Sequence, residues 1–207
     1  MSQEQGQTIY LKDYRVSDYL IETVELDFDL HETHTDVVTT TVYYLNPEAS
    51  TTLPPLTLNG RNLELTGFKM DGAEVGAEDY SIVDEVLNFQ PSAERFTLEI
   101  RTRIEPQNNK ALEGLYKSRG LFCTQNEAQG FRRITYFLDR PDVLATYKTT
   151  LRADKEKYPV LLSNGNCVEQ GELEYGRHYS VWEDPHKKPC YLYALVAGNL
   201  KHIEDTF

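Results

Sequence analysis

His31-Glu32-Thr33-His34 is the tract with the plainest outward claim to chemistry, because it falls one residue short of H-E-x-x-H, the helical zinc-binding pattern of metallopeptidases. That pattern works because histidines at i and i+4 leave one face of a helix together. Here they stand at i and i+3 between two β-patterned runs, where strand geometry would point them to opposite faces, so the tract reads as an exposed hairpin connection. His178, His186 and His202 have no cysteine or carboxylate partners at ligand spacing, and no metal site is expected within the chain. No G-x-S-x-G elbow, P-loop or G-x-G-x-x-G fingerprint is present. Cys123, Cys167 and Cys190 are far apart and odd in number, which fits free thiols in a reducing compartment, buried as small hydrophobes. Glu127, Asp139 and Asp142 could be imagined as an acid and base pair, but sequence carries no separation between them, and no catalytic residue is assigned.

The elements that must position such groups read as strands. Val24, Leu26, Phe28 and Leu30 alternate with Glu25, Asp27 and Asp29, which sorts apolar from acidic side chains only on an extended backbone. Val37 to Leu45 is almost wholly β-branched or aromatic, and Asn59-Gly60 and Asp71-Gly72 are turn signals around Leu63, Leu65 and Phe68. The rhythm continues through Tyr80–Ile82, Val86–Phe89 and Phe96–Thr102, and returns at Tyr147–Leu151, Val160–Leu162, Tyr179–Val181 and Tyr191–Val196. Ala111 to Cys123 lacks clean alternation, and no stretch holds an apolar stripe at helical spacing. An all-β, sandwich-like fold of more than one sheet is therefore expected, as one domain over residues 1–207 with little helix.

Charge narrows the partners. The 207 residues carry 33 acidic and 21 basic side chains, a formal net charge of −12, with basic residues only in isolated pairs such as Arg132-Arg133 and Lys187-Lys188. Such a surface offers no field for phosphate backbones or anionic lipids, so neither nucleic acid nor a membrane is an expected partner. The polar start, MSQEQGQTIYLKDY, has no apolar segment, and the longest apolar run, Cys190 to Gly198, is too short to span a bilayer. A soluble, cytoplasmic protein is expected.

From Ala111 to Asp142 the chain mixes polar side chains and glycine between aromatics, as a shaped loop facing a ligand would. Here ALEGLYKS and CTQNEAQGFRRITYFLDRPDVLATY, with YPVLLSNGN and KPCYLYALVAG further on, resemble the N-terminal domain of the bacterial aminopeptidase N family, the gluzincin zinc metallo-aminopeptidases. The resemblance runs over nearly the whole chain, from YRVSDYLIETVELDFDL to Phe207. It implies a saddle-shaped multi-sheet β domain, peptide substrates, and zinc held by H-E-x-x-H and a distant Glu in a catalytic domain of the same polypeptide that this chain does not contain. The chain alone is then expected to bind no zinc and to be inactive. The resemblance further implies that Glu127 helps bind the substrate α-ammonium and that Gln125 lines the pocket for the first side chain. A carboxylate in a confined cleft separates a terminal ammonium from an internal amide by charge-assisted hydrogen bonding. Alternate residues of an extended segment face the same way, so Gln125 and Glu127 can point into one cleft across Asn126. Arg132, Arg133 and Arg140 are expected to hold the loop or a domain boundary through salt bridges. The competing expectation is a free-standing β-sandwich binding module without catalysis, and the two part on whether the reading frame continues past Phe207 into H-E-x-x-H.

Overall fold

Val24, Leu26, Phe28 and Leu30 all enter the core while Glu25, Asp27 and Asp29 face outward, as period-two alternation requires. The computed structural model describes residues 10–49 and 52–206; the polar start up to residue 9 and Phe207 lie outside them. In chain order the strands are β1 (Tyr19–Leu30), β2 (Thr35–Leu45), β3 (Leu56–Asn59), β4 (Glu64–Met70), β5 (Ala73–Glu74), β6 (Tyr80–Val83), β7 (Val86–Phe89) and β8 (Arg95–Ile104). There follow β9 (Gly114–Ser118), β10 (Leu121–Gln125), β11 (Leu144–Asp154), β12 (Val160–Ser163), β13 (Asn166–Glu172), β14 (Arg177–Pro189) and β15 (Leu195–Gly198). Among the described residues there is no α-helix, only short 3-10 turns such as Phe131–Arg133 and Cys190–Leu192.

The strands form three sheets. The largest runs β13-β14-β11-β1-β2-β8-β4-β5, and β12-β15-β10-β9 and β3-β7-β6 make two smaller ones. Every pairing is antiparallel except β1 with β11, where Thr23 meets Thr146 and Asp29 meets Arg152. Inward side chains from all three sheets, among them Phe28, Tyr43, Leu58, Phe96 and Phe122, join Phe131 of the 3-10 turn in one continuous apolar cluster. The all-β, multi-sheet expectation therefore holds. Asn59-Gly60 does not close a hairpin, since β3 pairs with β7 while β4 pairs with β8. Gly60 is instead needed for close packing, because a Cβ there would overlap the Tyr136 ring. The irregular stretch before Cys123 proves to be the β9–β10 hairpin, turned at Arg119-Gly120, both at positive φ.

The His31–His34 tract does join β1 to β2, but its histidines do not part to opposite faces. The His31 amide donates to the His34 carbonyl at 3.0 Å, which closes the turn, and the two rings stack with centroids 4.8 Å apart. Their Nε2 atoms lie 3.1 Å from Asp29 and 3.6 Å from Asp36, respectively. Glu32 reaches instead to the smaller sheet: the Tyr158 hydroxyl donates to it at 2.5 Å and the Lys117 ammonium at 3.0 Å. Lys117 in turn lies 5.0 Å from the centroid of Phe122 and 5.4 Å from that of Tyr158. The tract is thus a clamp between sheets.

The Tyr158 hydrogen bond, followed by Lys117, holds the Glu32 carboxyl below its ordinary range against the opposing effect of burial. A carboxyl depressed in the folded state stabilises it above the unfolded pKa and loses that contribution as pH falls through the folded value. The clamp is therefore expected to be intact at neutral pH and to release only at pH values below the ordinary carboxylate range. Tyr158 and Lys117 side-chain resonances that stayed fixed from neutral pH into that range would contradict this, and Glu32→Gln should remove the acid dependence.

Candidate functional site at the end of β10

The loop that leaves β10 is fastened by side chains. The Thr124 hydroxyl accepts from the Leu195 amide at 2.9 Å, and the Asn126 carboxamide donates to the Tyr193 carbonyl at 2.7 Å. Asn126 is 1% exposed, whereas Gln125 and Glu127 on either side of it are exposed, so the expected alternation is present. The Gln125 Oε1 accepts from the Glu127 amide at 3.4 Å, and the Glu127–Ala128 peptide is cis. The loop closes where the Gly130 amide donates to the Asn126 carbonyl at 2.8 Å. A Cβ on Gly130 would stand 2.8 Å from the Asn126 Cα and 2.9 Å from the Gly114 nitrogen, all backbone that cannot swing aside.

Behind the loop the arginines act as expected. Arg132 donates through its Nε to Asp139 at 2.7 Å and through its amide to the same carboxylate at 3.2 Å. Arg133 pairs with Glu113 at 2.9 Å and Arg140 with Asp142 at 2.7 Å. Asp139 and Asp142 are thus each committed to an arginine, and the structure does not bring them together with Glu127 as an acid and base pair. Among the described residues Glu127 has no ion-pair partner, which leaves its carboxylate available.

The cysteines need correction. All are free, but only Cys190 is buried; Cys123 is half-buried and Cys167 exposed. Cys167 lies on β13, an edge strand with no buried residue, and Cys123 points away from the core. The Cys190 thiol donates to Asp139 at 3.1 Å, and burial, reinforced by that carboxylate, pushes its pKa up, so it stays protonated and unreactive.

Gln125 also shares its side of β10 with an apolar row. Register places Leu162, Val196, Cys123 and Tyr116 side by side across the outer face of the β12-β15-β10-β9 sheet. Leu162 is 39% exposed and the other three are half-buried. Gln125, two residues beyond Cys123, continues the same face opposite Gly114.

No group of three or more His, Cys, Asp or Glu among the described residues could hold a metal ion, and His31 and His34 each lie against a single carboxylate, Asp29 and Asp36. The family resemblance named Gln125 and Glu127 but left Asn126 without a role. Its partner, Tyr193, stands in another strand's approach, and no local pattern announces such a pairing.

A family model described as the peptidase M1 N-terminal domain matches residues 23–192. The aminopeptidase N of Escherichia coli is 50% identical over 204 residues, which cover 99% of this chain and 23% of that protein. The aminopeptidase N of Haemophilus influenzae is 46% identical, over 96% of this chain and 23% of its own length. The chain therefore spans about a quarter of the length of these curated relatives. Among solved structures, aminopeptidase A of Legionella pneumophila in complex with aspartic acid superposes with a TM-score of 0.87 at 37% identity, over 92% of this chain and 22% of that one. An M1 zinc metallopeptidase from Deinococcus radiodurans shares the fold with a TM-score of 0.72 at 16% identity, over 87% and 42% of the two chains. With the family model matched over residues 23–192, the chain belongs to the peptidase M1 N-terminal domain family.

Proposed function

We propose that this chain is the N-terminal part of a cytoplasmic zinc aminopeptidase that removes single residues from peptide N-termini, and that the end of β10 forms part of its active-site wall. In this reading Glu127 binds the substrate α-ammonium and Gln125 lines the pocket for the first side chain. Zinc, and the groups that hold it and activate water, belong to a catalytic domain elsewhere in the polypeptide, so the chain by itself has no activity. What carries the reading is one arrangement: two exposed polar side chains leave β10 on either side of a sunken Asn126, and Gln125 continues the sheet face that bears the apolar row. Leu162, Val196, Cys123 and Tyr116 form a surface suited to being covered by the rest of the polypeptide, which would leave Gln125 and Glu127 at the margin of that contact.

The test is made in the longer polypeptide. At about 4 Å a carboxylate and an ammonium attract by only ~1 kcal/mol in water, but several-fold more in a closed cleft of lower effective dielectric. Glu127→Ala is expected to lower kcat/KM for unblocked peptides by roughly 2–4 kcal/mol of apparent transition-state binding. Zinc content should not change. Glu127→Gln keeps the shape and loses the charge, so the difference between the variants separates packing from electrostatics. Parental kcat/KM in both variants on several substrates would rule the role out.

A further inference from the structure

The β10–β15 ladder breaks off early. Its backbone register pairs Phe122 with Ala197 and Cys123 with Val196, and there the main-chain pairing stops. Carried one and three steps beyond Cys123, the same register would set Thr124 against Leu195 and Asn126 against Tyr193. Those are the partners their side chains find: the Thr124 hydroxyl takes the Leu195 amide and the Asn126 carboxamide takes the Tyr193 carbonyl. Side chains thus serve as rungs where the two backbones have moved apart. The opposite flank is secured in the same way, because the Ala194 amide donates to the Asn164 Oδ1 at 2.6 Å and the Ser163 hydroxyl donates to the Ala194 carbonyl at 2.8 Å. Tyr193 is therefore a fixed post, and Asn126 is tied to it.

We propose that Asn126 is the positioning residue for Gln125 and Glu127: its carboxamide, the last rung between β10 and the approach to β15, sets the place and direction of both exposed side chains. This rests on the functional reading above. The Asn126 Oδ1 has no hydrogen-bond partner among the described residues, so the polar contribution of the side chain is the single donation to Tyr193. The Asn126 backbone carbonyl holds Gly130, and a residue bound at both points leaves Glu127 little freedom. Displacement of a binding group by about 1 Å is enough to cost on the order of a hundredfold in rate. Loss of the rung should therefore register at Glu127 although Asn126 itself is covered.

The experiment is a double-mutant cycle in the longer polypeptide, read as kcat and KM on unblocked aminoacyl chromogenic substrates, with zinc content and thermal midpoint recorded for every variant. Asn126→Ala is expected to lower kcat/KM roughly 10- to 100-fold, chiefly through KM, with zinc retained. In a Glu127→Ala background the same change should cost several-fold less, because only Gln125 is then left to position. Asn126→Leu keeps about the same volume and has neither a donor nor a charge, so it provides the same cycle if the alanine variant does not fold. Full additivity of the two substitutions, or parental kcat/KM in Asn126→Leu, overturns the proposal while the functional reading stands. Parental activity in Glu127→Ala overturns both.

Discussion

Asp139→Ala is expected to lower the stability of the domain by about 3–5 kcal/mol, the range for removing one partner of a buried pair. The cost arises from what is left behind. Arg132, only 18% exposed, would lose the carboxylate that accepts from its side chain and from its amide, and the buried Cys190 thiol would lose its acceptor. The residual exposure of Arg132 admits some water and argues for the lower part of the range. In a domain of this size that is a fall in thermal midpoint on the order of 10 °C. Asp139→Asn keeps one oxygen acceptor and should fall between the two. A midpoint unchanged within about 2 °C in the alanine variant would mean that water replaces the carboxylate without penalty, and the pair would then be counted as a surface one.

Phe131→Ala is expected to be at least as damaging, by about 3–5 kcal/mol, because it empties a fully buried site. Phe131 is the residue after Gly130, and its ring packs edge-on against Phe137 at 4.6 Å and Tyr193 at 5.4 Å between centroids. Tyr193 therefore receives the loop twice, once on its carbonyl from Asn126 and once on its ring from Phe131. The two substitutions probe different fastenings, and Phe131→Leu separates them from simple volume loss: it should recover much of the stability while leaving the edge-on contacts broken. If denaturant unfolding placed Phe131→Ala within about 1 kcal/mol of the parent, the cavity would have to have collapsed, and the rigidity attributed to the loop would be wrong.

Strands whose two faces meet different solvents were legible before any coordinates. Val24 to Leu30 and Phe96 to Thr102 alternate because one side is core and the other water. β13 was not foreseen, because all of Asn166–Glu172 but the half-buried Gly171 is exposed and the segment is an edge whose one strand neighbour is β14. The Asn59-Gly60 signal does not close a hairpin, and Gly60 instead meets Tyr136, a residue remote in sequence. The same limit governs the candidate site. Gln125 and Glu127 were named through family resemblance, and their shared exposure follows from strand geometry. The rung from Asn126 to Tyr193 and the clamp from Glu32 to Lys117 and Tyr158 each join residues that become neighbours only when the sheets assemble.

The single parallel pairing, β1 with β11, orders events during synthesis. β1 and β2 can meet as soon as their hairpin leaves the ribosome, but the other edge of β1 must wait for Leu144–Asp154 to emerge. Contacts of such long sequence separation form slowly, and until they form β1 offers a free ladder of amide and carbonyl groups to any passing strand. A nascent or truncated chain that ends before Leu144 therefore carries an open edge at what becomes the middle of its largest sheet, and that is the interval in which chaperone protection counts most.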